Sequence, residues 1–312
     1  MTTVPPAPQA PASPAARPPG IPGARPNAGA SAAPPANSAA TQTKKLDITD
    51  DVDKRGKRIV MYAPGGWGKT SIAAMAPGSV TLDLEKRTGH VAEKLGNHNV
   101  KMRRFATLGM KNGEVDSATM FADTRAALHN FDLFPAGSTI IIDSVTKLEE
   151  CSWNWVVENI GKEKGGKVTG IEDYGYGKGY THGFEQMVKV LGDLDALSAR
   201  GVNSILICHD CVANFDDPAQ VGEHKRYEPR LYRSGSGNTD TRLRVREWSD
   251  AVLFGTYDMA RDQQGRVTGQ GTRIIYTHER PAFMAKSSLG PEHFQVPVAH
   301  EFDDRIWKLL FA

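Results

Sequence analysis

Cysteine is scarce in this chain: Cys151, Cys208 and Cys211 are the only three in 312 residues. That excludes a disulfide framework at this length and points to a reducing compartment. Cys208-His209-Asp210-Cys211 has the look of half a zinc site, but the second pair that a four-ligand structural zinc needs is missing. Long apolar runs are lacking as well. No stretch reaches the roughly 18 consecutive apolar residues of a membrane span, and the N-terminus has no apolar segment of the kind that makes a signal peptide. Neither sign of charge dominates: 38 Lys and Arg face 36 Asp and Glu, a net of +2, so any affinity for nucleic acid has to come from a local patch. Aromatic residues are absent until Tyr62.

That last absence coincides with an excess. Eleven of the 19 prolines lie between Pro5 and Pro35, mixed with Ala, Gly and Ser. Residues 1–45 cannot bury enough apolar area to offset their chain entropy and are expected to be a disordered tail, either a passive extension or a docking tether. The remaining 46–312, in a chain that is 39% hydrophobic and 24% charged, can form one large folded domain.

Within that domain an apolar run, Arg58-Ile59-Val60-Met61-Tyr62, leads into Ala63-Pro64-Gly65-Gly66-Trp67-Gly68-Lys69-Thr70 and then Ser71-Ile72-Ala73-Ala74-Met75. Strand, glycine-rich loop and helix in that order fit a phosphate-binding loop, with alanine in place of the usual first glycine. Glycines let the backbone curl and aim N–H groups inward, so residues 65–71 (Gly65, Gly66, Trp67, Gly68, Lys69, Thr70 and Ser71) are expected to cradle a polyphosphate. Lys69 would reach the β- and γ-phosphates, and the Thr70 hydroxyl would hold Mg2+.

Apolar runs that end in a polar residue recur downstream. Ser79 to Leu84 reads as a strand that ends at Glu85, where a carboxylate can take a proton from an attacking water; Asp83, two residues earlier, is the rival. Thr139 to Ser144 is a strand with Asp143 at its tip, placed to hold Mg2+. Asn203 to Cys208 is another, ending at His209, which could sense the terminal phosphate. Other strands are expected at Asn99–Phe105, 251–257, 272–277 and 282–285, with a hairpin turn at 261–265. Helices are expected at 117–131, 146–160 and 184–198 from their apolar spacing. Strands alternating with helices, then a hairpin, predict an α/β fold on a mostly parallel sheet.

Two further segments stand out. Residues 161–183 are rich in glycine and carry Tyr174, Tyr176, Lys178 and Tyr180, so they read as flexible. From His224 to Arg246 seven basic residues, among them Arg230, Arg233, Arg242, Arg244 and Arg246, face only Glu228 and Asp240, with Tyr227 and Tyr232 interleaved. A mobile basic loop with rings suits single-stranded nucleic acid, since cations track phosphates and rings stack on bases. A solvated loop, or one touching a neighbouring subunit, is the alternative.

Together these pieces resemble the RecA-like ATPases, and within them the phage-encoded core-only single-strand annealing proteins, a group of phage nucleotide-binding P-loop NTPases. The likeness covers roughly residues 55–290 and rests on the phosphate-binding loop, Leu82-Asp83-Leu84-Glu85, Ile140-Ile141-Ile142-Asp143-Ser144, Tyr174-Gly175-Tyr176-Gly177-Lys178-Gly179-Tyr180, and Leu206-Ile207-Cys208-His209. It implies ATP and Mg2+ as cofactors, with Glu85, Lys69 and His209 catalytic and Thr70 and Asp143 on the metal. It implies DNA contacts from Tyr176, Lys178 and the basic segment. It also implies a homo-oligomer, filament or ring, in which Lys286 or Arg280 reaches a neighbour's nucleotide, although Ala285-Lys286-Ser287-Ser288 has serine where the family has arginine. Recombination or annealing on single-stranded DNA in the cytoplasm, the host's if the chain is phage-encoded, would follow, with a single-strand-binding protein as a partner. A nucleotide-gated interaction module without DNA binding, and a RecA-like helicase or its loader, are the other readings.

Overall fold

The computed structural model describes residues 54–97, 100–163, 165–216, 222–235, 238–261, 267–289, 295–298 and 303–311, so the proline-rich tail and most of the expected turn at 261–265 lie outside the described residues. In chain order the elements are β1 (Arg58–Ala63), α1 (Lys69–Ala74), β2 (Ser79–Asp83), α2 (Gly89–Gly96), β3 (Arg103–Arg104), β4 (Met110–Lys111), β5 (Glu114–Val115), α3 (Ser117–His129), β6 (Thr139–Asp143), α4 (Val145–Asn159), α5 (Lys178–Ser198), β7 (Asn203–Phe215), β8 (His224–Pro229), α6 (Thr241–Trp248), β9 (Ala251–Arg261), β10 (Val267–Tyr276), β11 (Lys286–Ser287), β12 (Gln295–Val298) and α7 (Arg305–Leu310).

The main sheet runs in the order β12-β10-β9-β1-β7-β6-β2-β3. From β9 to β3 every pairing is parallel, and β10, β11 and β12 add antiparallel partners at one side. The central strands are continuous apolar runs because both faces are covered. Alternate residues therefore serve two cores: Val60 and Tyr62 of β1 face the core under α3, α4 and α5, while Ile59, Met61 and Ala63 face the one under α1 and α7. In the second core the Trp307 indole donates to the Ile72 carbonyl at 2.6 Å, tying α7 to α1. Among the described residues no helix is long and apolar enough to cross a membrane.

Helix starts follow local chemistry. Asp116, Ser144 and Asp240 each accept an N–H from the first turn of α3, α4 and α6. Four expectations are corrected. The strand at 99–105 shrinks to Arg103–Arg104, an exposed edge pair. Helix α5 starts at Lys178 rather than Phe184, so the last six residues of the glycine-rich stretch belong to it. There the glycines permit close approach rather than flexibility: an added Cβ at Gly179 would sit 1.9 Å from the Ile171 carbonyl, and one at Gly183 2.5 Å from the Trp153 ring. The basic segment is only partly a loop: its first six residues are in β8 and its last six in α6, with the stretch around Arg230 and Arg233 between them. Strand β7 runs seven residues past Cys208 to Phe215 and pairs with β8, and α6 follows. The last expected strand, 282–285, contributes only isolated bridges at Phe283.

Candidate functional site

Strands β1, β6, β2 and β7 are parallel neighbours, so their C-terminal ends share one rim. Beyond β1 the chain curls through Gly66 (φ 76°) and Gly68 (φ 105°), left-handed conformations that favour glycine, before α1 begins at Lys69. An added Cβ at Gly65 or Gly66 meets nothing within 4 Å, so the space over the loop is open. The Lys69 ammonium folds back onto the Ala63 and Pro64 carbonyls at 2.6 and 3.2 Å, and burial lowers its pKa.

Thr70 donates its hydroxyl to the Asp143 carboxylate at 2.6 Å. Asp143 is buried, and desolvation pushes its carboxyl up to about 6. The Thr70 bond and nearby Lys69 oppose that shift, and the Glu85 and Asp83 charges reinforce it. Asp83 accepts the hydroxyl of Thr88 at 2.6 Å, while its other oxygen is buried without a hydrogen bond.

Glu85, half-buried two residues beyond β2, is held from two sides. His209 Nε2 lies 2.5 Å from its Oε1, and the Ser144 hydroxyl donates to the same oxygen at 2.6 Å. The His209 bond, then that from Ser144, holds the carboxyl down at about 2 against the opposing effect of burial. Thr146, two residues into α4, accepts the His209 N–H at 3.1 Å and donates to the Arg230 carbonyl at 3.0 Å. The peptide bond between Asp143 and Ser144 is cis.

A cleft of about 340 Å³ brings the loop glycines, Lys69, Thr70 and Ser71 together with Glu85, Asp143 and His209. Trp67 is the exception among the expected loop residues. Its ring is fully buried under Gly255, its indole donates to the Thr256 carbonyl at 2.7 Å, and Arg273 donates to its own carbonyl at 2.6 Å. It anchors the loop from behind. The opposite wall of the cleft, from Arg87 and Thr88 to His90 and Lys94, was not expected, because α2 is short and carries only Val91 and Leu95 as apolar spacing.

A triphosphate with Mg2+ fits this donor set. The loop offers open space and backbone N–H groups, Lys69 a cation, and Thr70 and Asp143 hard oxygen ligands of the kind Mg2+ takes. Among the described residues no cluster of three or more His, Cys, Asp or Glu could hold a metal by itself.

The expected nucleic-acid contacts divide. Arg230, Arg233 and Arg244 are exposed, Arg233 donating to the Asn214 carbonyl at 3.1 Å. Tyr176 is fully exposed, left-handed at φ 50° between two left-handed glycines. Lys178 is paired with Glu163 at 2.6 Å. Arg242 is a correction: it is buried, ion-paired with Glu228 and Asp240, because the two acids of the segment turn inward and draw it with them. Arg246 is half-buried against Glu279 at 2.6 Å. Tyr232 is stacked on Tyr180, with ring centres 4.6 Å apart, rather than presented for bases. The Lys286 ammonium donates to the Arg246, Glu247 and Ser249 carbonyls at 2.7 to 3.3 Å and closes the end of α6 in its own chain. Arg280 lines a different cavity, of about 740 Å³, between β8 and α6.

Comparison with known proteins adds a family. The AAA domain family matches residues 55–289. A solved structure, the KaiC-like protein PH0186 from the hyperthermophilic archaeon Pyrococcus horikoshii OT3, is similar over 80% of this chain and 88% of its own at 12% identity, with a TM-score of 0.40. No curated protein matches the chain.

Proposed function

The chain belongs to the AAA domain family, with a RecA-like P-loop NTPase core, and from that premise we propose that it binds ATP with Mg2+, hydrolyses it, and couples turnover to single-stranded DNA. The observation that carries the first half is the convergence of Lys69, Thr70, Asp143 and Glu85 on one cleft from three separate stretches of sequence. Magnesium, when bound, would neutralise phosphate charge and align the terminal oxygens. Lys69 would exchange two carbonyls for phosphate oxygens, Thr70 and Asp143 would hold the ion, and Glu85 would orient a water and accept its proton.

A carboxylate held at about 2 is a weak base. Glu85 therefore works only when its bond to His209 loosens, which makes that pair the control point. His209 sits midway along β7, whose outer half carries the hairpin that leads to Arg230 and Arg233. A polyanion on the hairpin that shifted β7 would free Glu85. The exposed Arg230, Arg233, Arg244 and Tyr176 support single-stranded DNA as that polyanion, and the likeness to phage annealing proteins supports a role in recombination or annealing, with a homo-oligomer on the strand. The depressed Glu85 favours one rival, a nucleotide-gated module that switches partners without turnover.

The test is the ATPase rate with single-stranded DNA, with duplex DNA and without DNA. We expect stimulation by the single strand and loss of all hydrolysis in Lys69→Ala. Normal hydrolysis in that variant would end the P-loop reading, and a DNA-indifferent rate would favour the module.

A further inference from the structure

The triphosphate needs a cation at its far end, since the transferred group gathers charge on its outer oxygens. Lys286 and Arg280 lie outside the cleft of their own chain: one closes α6, the other lines the cavity beside β8. A third candidate stands at the cleft itself. Arg87 follows Glu85 by two residues in the turn between β2 and α2, is exposed, and lines the cleft opposite the loop. Among the described residues its guanidinium makes no hydrogen bond or ion pair, and its charge lies close enough to help depress the Glu85 carboxyl. It also borders the neighbouring hollow of about 490 Å³ that shares Glu85 and His209 with the cleft.

The charge balance calls for it. Asp83, Glu85 and Asp143 bring three carboxylates to a cleft meant for a polyanion, where Lys69 is the one cation of the loop and Lys94 stands further off on α2. A guanidinium grips phosphate oxygens as a planar fork, which an ammonium cannot do. We propose that Arg87 is a catalytic residue acting within its own chain: it binds the terminal phosphate of ATP and offsets the charge that grows there during hydrolysis. As the water oxygen bonds to the γ-phosphorus, the bond from that phosphorus to the ADP oxygen breaks and takes its electron pair. The water proton passes to Glu85, and Arg87 stays on the non-bridging oxygens throughout. The nucleotide site is then complete in one protomer, and a neighbour is not needed to supply an arginine.

This rests on the ATPase reading, and the experiment separates the two. The full chain and its Arg87→Ala and Arg87→Lys variants are titrated with a fluorescent ADP and with the matching non-hydrolysable triphosphate analogue, and their hydrolysis rates are measured. Arg87→Ala should hold ADP within about 2-fold and bind the analogue about 10-fold more weakly, and its kcat should fall at least ~100-fold, in the range of arginines that act on a terminal phosphate. Arg87→Lys should regain part of the analogue affinity and little of the rate. Mixing Arg87→Ala with Lys69→Ala should restore nothing, because neither chain holds both groups. Recovery on mixing would show the arginine reaching across protomers and overturn the proposal. Equal weakening of ADP and analogue, or an unchanged kcat, would overturn it too. An unsubstituted chain that binds neither nucleotide would instead overturn the ATPase reading beneath it.

Discussion

Asp143 is buried beneath Thr70 with its carboxyl pushed up to about 6 from an ordinary 3.8. The folded state thus binds its proton more tightly than the unfolded chain does. The stability that this proton confers is complete below about pH 4, falls as pH rises from 4 to 6, and is gone above that, where an ionised carboxylate is held in a poor environment. Asp143→Asn keeps an acceptor for the Thr70 hydroxyl and removes the charge. It should therefore raise stability at pH 7.5, by up to ~3 kcal/mol for a shift of about two units, flatten the slope between pH 4 and 6, and abolish Mg2+-dependent nucleotide binding. Urea unfolding at a series of pH values, run beside a nucleotide titration, checks all three. At this scale much of the site was legible. Asp143, Glu85 and His209 each sit where an apolar run stops, a strand end visible in sequence, and Lys69 and Thr70 follow a glycine-rich loop that is equally visible. Arg242 was not legible, because a count of charges along the chain does not reveal that Glu228 lies buried between it and Arg226. Trp67 misled for a similar reason: its neighbours in sequence face the ligand, whereas its own ring faces Gly255.

The stretch from β7 to α6 shows what the period of a sequence can and cannot give. Strand β7 up to Cys208 is a buried apolar run and was read as such; beyond it the residues alternate between half-buried and exposed, a two-residue period easily taken for a loop. Its pairing with β8 depends on contacts that no local pattern announces. The start of α5 was missed because Gly179 and Gly183 read as loop residues, although the packing of Trp153 and Ile171 requires them. The capping of α6 by Lys286 is equally non-local. Three carbonyls at the end of that helix rely on one ammonium, so Lys286→Met should lower thermal stability by about 1 to 2 kcal/mol and leave the hydrolysis rate per folded molecule unchanged. Calorimetry and a steady-state assay on the same sample decide it: a lower rate without a lower midpoint would return this lysine to the nucleotide.

Across the whole molecule, the α/β alternation foretold a mostly parallel sheet, and that is the architecture found, with β10, β11 and β12 antiparallel at one side and β8 antiparallel on the outer half of β7. Strand order was not foretold, since nothing local places β1 between β7 and β9. The net charge of +2 makes nucleic-acid binding a matter of distribution. With Arg242 and Arg226 buried, exposed Lys225 and the three exposed arginines Arg230, Arg233 and Arg244 are left to carry it. Replacing those three with alanine should weaken single-stranded DNA binding and reduce the slope of log affinity against log salt by roughly 2 for contacts at ~0.7 each, with basal hydrolysis kept. Fluorescence anisotropy at several salt concentrations measures both, and an unchanged slope would move the binding face elsewhere. One more property follows from the tryptophan wedged under β9. The space that Gly255 leaves is already filled by the ring that steadies the loop, with its atoms 2.8 Å from any added methyl group. Heritable change at Gly255, far off in the chain and out of reach of any ligand, is thus screened as stringently as change in the phosphate cradle, and a catalogue of inactive alleles would list the two together.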